Sequence, residues 1–507
     1  MAPSQHDTAF FGHPRGLSTL FFTEMWERFT YYGMRAILVL FMTAPLAAGG
    51  LGFDAAKAGA IYGTYTALVY LFALPGGWIA DKILGLRRSV FVGGVVITVG
   101  NVALAIPGSM AGFYVGLFCM VIGTGLLKPN VSALVGQLYT EDDTRRDAGF
   151  SIYYMGINLG AMLSPLVCGW LAQSETFRGM LQGWGITPET SWHWGFGAAA
   201  VGMFLGLVQY TLGGKYLGSA GETVLGATTE AERAGNQRTF WLGTGGIAAV
   251  AVVLALLARN GVLVFTPELV GNIFGVLLLL IVVGFFGWLF TAGQWTREER
   301  KRLVVITVLF LGAAIFWSVF EQAGSTLTLF AERSTRTELL GFGFPSSWFQ
   351  SVNSFFIIAL APVFAALWLK LGPRDPSSPT KFAVGLLFVG LGFAVMIGAA
   401  LAAANGAQVS SMWLVMTYLL HTIGELCLSP VGLSAMTKLA PARVGGMMMG
   451  VWFLATSVGS YIGGRVAGLY EAFSLPAIFG AVTGYALVAA LVMALLIGPI
   501  KRMLARQ

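Results

Sequence analysis

Charge is scarce in this sequence. Of 507 residues, 30 are Lys or Arg and 23 are Asp or Glu, so 10% are charged, against about 25% in a soluble chain. That deficit excludes a soluble multidomain enzyme and a disordered scaffold. Cysteine is scarcer still: Cys119, Cys168 and Cys427 stand singly in apolar stretches, with neither metal-ligand spacing nor a disulfide framework, and read as packing residues. No GxxxxGK[ST] occurs, and the GTG at 123–125 follows no strand, so no nucleotide site is expected. No Ser-His-Asp or metal-ligand constellation is visible, so neither an enzyme nor a metal or organic cofactor is expected. The first residues, MAPSQHDTAFFGHPRG, lack a basic stretch leading into an apolar one, and no cleaved signal is expected.

What is abundant is apolar: 56% of the chain, with 68 glycines. This composition predicts an all-α integral membrane protein. A spanning helix needs about 20 apolar residues, and fourteen candidate runs occur: 17–48, 57–82, 89–107, 112–138, 148–173, 193–216, 240–258, 270–291, 304–331, 347–370, 381–403, 411–437, 444–470 and 476–500. The first exceeds one bilayer thickness, which predicts a tilted or bent helix. Basic residues set the orientation. With the N-terminus inside, 21 of the 30 fall in inside segments, from Arg15 to Arg506, while 5 fall outside and 4 within spans. This bias predicts cytoplasmic termini and accounts for the net charge of +7 without a nucleic-acid partner. The polar stretches 218–239 and 292–303 flank the seventh and eighth runs. Removing that hairpin leaves six helices on either side: a bundle over 1–217, an inserted segment over 218–303 and a second bundle over 304–507. Trp26 and Gly33 repeat as Trp317 and Gly324 at one offset, and Gly123 and Pro129 as Gly424 and Pro430 at another. Such a faint parallel repeat predicts the major facilitator fold, with 6 + 2 + 6 helices.

Ionisable groups inside spans are costly, about 2.5–3.5 kcal/mol each at mid-helix on insertion scales, and mark functional sites. Glu24, Glu27, Arg28, Tyr31 and Arg35 follow an i, i+3, i+4, i+7, i+11 spacing that puts them on one helical face. A stripe of this kind cannot face lipid and must line a polar interior. Lys128 precedes a proline within GTGLLKPNVS, and Glu321 and Glu425 lie in later spans. Four carboxylates thus stand against Arg28, Arg35 and Lys128. A carboxyl that changes partner with conformation can carry a proton. A site with cations from the first half and acids from the second suits a zwitterion. Asp81, Arg87 and Arg88 in GGWIADKILGLRRS read equally as topology markers or as a charge clamp between helices.

These segments resemble a known family. EMWERFTYYGMR (24–35) is similar to the signature of proton-dependent oligopeptide transporters, within the major facilitator superfamily. GTGLLKPNVSALVGQLY, RRDAGFSIYYMGINLGAMLSP (145–165), FWSVFEQAGSTLTLFA (316–331), SWFQSVN (347–353) and GELCLSPVGLS (424–434) extend the resemblance over all but the 218–303 insertion. It implies proton coupling by Glu24, Glu27, Arg28, Lys128 and Glu321. It implies peptide binding by Tyr31, Tyr32, Arg35, Tyr70, Lys128, Asn158, Asn353, Glu425 and Trp452, with the carboxylate at Arg35/Lys128 and the amine at Glu425/Asn353. Apart from the resemblance, Asp81, Arg87 and Arg88 are candidate gating residues, and Lys57 with Glu332 is a candidate outer gate pair. Animal members carry a histidine at the position of Gly63, so protonation here must rest on carboxylates. The expected activity is symport of protons and di- or tripeptides by a monomer in a bacterial inner membrane, the proton being the coupling ion and no cofactor being needed. A symporter of nitrate or another small solute is the alternative, with a channel or receptor further off.

Overall fold

The computed structural model describes residues 7–140, 142–222, 229–339 and 341–504. Residues 223–228 of the inserted segment and Arg506 of the basic C-terminus lie outside the described residues. All fourteen apolar runs are helical. Twelve helices among the described residues are long and apolar enough to cross a membrane. Arg15–Thr43 and Met448–Ala467 have the length, at 29 and 20 residues, and fall short on composition. The first carries Glu24, Glu27, Arg28 and Arg35, and the second is rich in Gly, Ser and Thr and holds Arg465.

Local chemistry sets the helix ends. The Ser109 side chain accepts from the Gly112 N–H to start Met110–Gln137. Capping boxes at Thr229/Glu232 and Thr296/Glu299 open Glu230–Arg259 and Arg297–Phe320, each satisfying two otherwise orphaned backbone donors. Two expected spans are interrupted. Ala55–Leu71 is followed by Ala73–Ile79 and a π-type turn, Ala80–Leu84. The ninth run breaks into Arg297–Phe320, a 3₁₀ turn at Glu321–Gly324, and Thr326–Ser334. Irregular backbone is tolerated at membrane depth only where protein or a polar interior surrounds it; Glu321, Gln322 and Gly324 are all buried. A two-residue hairpin pairs Glu338 with Gly343 and Leu339 with Phe342.

The chain forms two compact units interleaved in sequence: 1–30, 72–160 and 197–273 in one, 31–71, 161–196 and 274–507 in the other. In the first, Leu86–Leu104 packs along Met110–Gln137; a Cβ at Gly93 would lie 2.7 Å from the Gly123 carbonyl oxygen. In the second, Ser378–Ala403 packs on Met412–Leu439 and Leu475–Leu504, and Ala55–Leu71 on Met448–Ala467. Small residues allow such backbone approach, which is where membrane helices gain contact in the absence of a hydrophobic drive. None of the residues in Glu230–Arg259, the first helix of the insertion, is buried.

Candidate functional site

The first unit holds a buried acidic cluster on Arg15–Thr43. Arg28 Nε lies 3.2 Å from Glu24 Oε1, and its guanidinium also donates to Glu27 Oε2. All three side chains are buried. Glu27 Oε1 accepts no hydrogen bond among the described residues. The spacing explains the arrangement: Glu24 and Arg28 are one turn apart in the favourable acid-first order. Tyr153 and Lys128 lie within electrostatic reach of Glu24; the Tyr153 hydroxyl is 3.3 Å from Ser132 Oγ. Asn158 spends its amide N–H on the Tyr154 carbonyl, 3.0 Å away. The Met110–Gln137 helix runs on through Pro129.

The second unit holds a different arrangement. Arg35 Nη2 pairs with Glu321 Oε2 at 2.8 Å, and Arg35 Nε donates to the Tyr62 hydroxyl at 2.7 Å. The Tyr32 ring lies 5.7 Å from the guanidinium carbon. This packing requires Gly324 at the helix break, because a Cβ there would meet the Tyr62 hydroxyl oxygen at 1.9 Å and Arg35 Nε at 2.7 Å. Asn353 Nδ2 donates to Glu425 Oε2 at 3.1 Å and to Thr422 Oγ1 at 2.9 Å. No cation pairs with Glu425 among the described residues. Tyr31 and Tyr32 meet edge to face at 5.2 Å. Tyr70 lies 6.5 Å from Phe453, and Trp452 lies 6.4 Å from Trp317.

Some expected partners are brought together and others are not. Glu24 with Arg28, Glu27 with Arg28, and Asn353 with Glu425 meet as above. Lys128 and Arg35, both expected at a carboxylate, belong to different units. The expected outer pair does not form. Lys57 Nζ sits 3.7 Å from the centre of the Phe53 ring, while Glu332 Oε2 accepts from Gln173 at 3.1 Å and from Ser346. Short polar side chains reach Glu332 where the lysine stem instead lies over its own helix entry. Nor does Asp81 clamp Arg87. Arg87 donates to the Gly218 and Ala220 carbonyls and pairs with Glu222 at 3.1 Å, fastening the 218–222 turn, and Arg88 is exposed.

Tyr62, Tyr153 and Thr422 are parts of this chemistry that motif reading missed. Their only sequence signal is a polar residue within an apolar run. Gly63 also gains a reason. Its Cβ would lie 2.9 Å from the Gly464 Cα, and one at Gly464 would lie 2.2 Å from the Gly63 Cα. A histidine at 63 has no room against this helix pair.

Comparison with known proteins follows the same lines. The sequence model of the POT family matches residues 87–221 and 280–483. A peptide transporter of Yersinia enterocolitica is 41% identical over 98% of this chain and 96% of its own length. A di-/tripeptide transporter of Lactococcus lactis is 37% identical over 94% and 95%. The crystal structure of a peptide transporter POT in complex with sulfate superposes with a TM-score of 0.89 at 45% identity, covering 98% of this chain and 96% of that one.

Proposed function

The chain belongs to the POT family, and from that premise we propose that it is a secondary active symporter that couples inward proton flow to uptake of di- and tripeptides by alternating access. One observation carries the substrate reading. Glu425 is a carboxylate held by the Asn353 amide and forms no ion pair among the described residues, whereas Arg35 in the same unit is ion-paired to Glu321. A peptide brings the complement of both: its ammonium group supplies the charge that Glu425 lacks, and its carboxylate competes with Glu321 for Arg35. Charge-assisted contacts of this kind are about twice as strong as neutral ones.

The same exchange supplies coupling. Glu321, displaced from Arg35 by the peptide carboxylate, takes a proton rather than remain an unpaired buried charge. Glu24, Glu27 and Arg28, with Lys128, form a second proton-handling group in which two acids already share one guanidinium. Tyr31, Tyr32, Tyr70, Asn158 and Trp452 are assigned to substrate contact, and Asp81, Arg87, Arg88, Lys57 and Glu332 to gating. Arg87 is assigned there through the 218–222 turn, and Glu332 through Gln173 and Ser346.

The gap in the family match between 221 and 280 falls within the segment read as an insertion over 218–303 between six-helix bundles over 1–217 and 304–507. The basic-residue bias supports cytoplasmic termini in a bacterial inner membrane. The functional unit is a monomer among lipids that needs no cofactor besides the proton. A symporter of nitrate or another amine-free anion is disfavoured by the acid at 425. A channel would conduct without saturating, and a receptor would bind without accumulating. The test is uphill uptake of a dipeptide into proteoliposomes driven by an inward proton gradient. Saturable accumulation abolished by a protonophore supports symport; uptake that ignores the gradient rejects it, and uptake unchanged by Glu425→Gln rejects the amine assignment.

A further inference from the structure

We propose that Thr422 is a positioning residue for substrate: it fixes the Asn353 amide so that the amide oxygen, and not the nitrogen, faces the substrate amine. This rests on the peptide reading above and extends it to a residue that touches no substrate. The Thr422 side chain is fully buried. Its hydroxyl donates to the Tyr418 carbonyl one turn back, at 2.7 Å. A hydroxyl has a single proton, so only lone pairs of Thr422 Oγ1 remain for Asn353.

The consequence follows from counting donors. Asn353 Nδ2 carries two hydrogens, and one goes to Thr422 Oγ1 at 2.9 Å and the other to Glu425 Oε2 at 3.1 Å. Rotating the amide by half a turn would set Oδ1 against two acceptors. Glu425 could not impose this orientation alone, because once protonated it could donate to Oδ1. Thr422 has no proton left to give, so it holds the amide the same way in both protonation states of Glu425. Among the described residues no group donates to Asn353 Oδ1. With Glu425 ionised, that oxygen and the second Glu425 oxygen therefore present two acceptors and no donor. An ammonium group, with three donors and no acceptor, is what such a surface recognises; a carboxylate or a hydroxyl acceptor is rejected there.

The test compares Thr422→Val, which keeps the shape and removes the oxygen, with Thr422→Ser, which keeps the oxygen. Transport of alanyl-alanine is measured in proteoliposomes, with N-propionyl-alanine, the analogue lacking the amine, as competitor. Thr422→Val is expected to raise KM for alanyl-alanine about 10-fold at unchanged kcat, the loss of one hydrogen bond to the charged end. Thr422→Ser stays within about 2-fold, and competition by N-propionyl-alanine is the same in all three proteins. If Val disturbs folding, as judged by size-exclusion elution, Thr422→Ala removes the same acceptor with less bulk. Equal KM in the Val and Ser variants, or an equal loss for both probes, overturns the assignment while leaving peptide transport intact. Absence of saturable alanyl-alanine uptake by the wild type overturns the peptide reading and the assignment with it.

Discussion

Two buried guanidinium groups on one helix are handled in opposite ways. Arg28 is shared by two carboxylates, Glu24 and Glu27, whereas Arg35 meets one carboxylate, Glu321, and a phenol, Tyr62. Arg28 itself meets two carboxylates, so one can be protonated while the guanidinium keeps the other. Around Arg35 the pairing is one to one, and any incoming carboxylate must displace Glu321. The first arrangement tolerates a change in proton number; the second responds to a ligand. Breaking a buried pair by removing one partner costs about 3–5 kcal/mol, so the two clusters should fail differently when altered.

The largest effect is expected from Glu27→Gln, which takes from Arg28 one of its two carboxylates. Proton-driven uptake should fall at least about 100-fold, while peptide exchange with no proton gradient survives. Equal loss in both assays would mean that the cluster is merely structural. Arg35→Lys comes next. An ammonium cannot reach Glu321 and Tyr62 with the fixed fork of a guanidinium, so dipeptide affinity should drop about 10- to 100-fold, read as KM or by competition. Gly324→Ala attacks the same cluster from the backbone: with Tyr62 and Arg35 within 2.7 Å of the new methyl, the cluster must shift, at a cost of about 1–3 kcal/mol measurable as a lowered Tm in detergent. Gly77→Ala, where a Cβ meets nothing within 4 Å, is its control.

The smallest effect sharpens the contrast with a half-buried pair in a loop between spans. Asp143 accepts from Arg145 at 2.8 Å, which lowers its carboxyl from the usual range to about 2. Because the folded value lies below the unfolded one, the pair stabilises above about pH 4 and that contribution is lost as pH falls towards 2. Asp143→Asn should remove this small pH dependence of Tm and leave uptake unchanged; a large transport defect would move Asp143 into the machinery.

How much of this was readable in the sequence differs from residue to residue. Glu24 and Arg28 could be joined from spacing alone, because a helix makes i and i+4 neighbours wherever it sits, whereas the bond from Arg28 to its chain neighbour Glu27 could not. Asn353 with Glu425 could be joined only through the family resemblance, since 72 residues separate them. Lys57 with Glu332 rested on charge alone, and the side chains that actually reach Glu332 are uncharged. The break at Glu321–Gly324 carried no proline to announce it; it becomes intelligible only once Gly324 is seen against Tyr62 and Arg35. Arg87 shows the same limit, since carbonyl acceptors at Gly218 and Ala220 leave no trace in a pattern of charges.

By itself, the sequence determined that the chain spans a membrane, where its apolar helical runs lie and which few charges are held inside, because insertion into hydrocarbon depends on composition over about 20 residues and tolerates ions only where they are needed. Tertiary structure alone decided which acid Arg35 meets, where glycine must stand and which way the Asn353 amide points. Those depend on approaches of 2–3 Å between residues far apart in the chain, a scale on which hydrogen bonds form or fail and to which helical periodicity is blind.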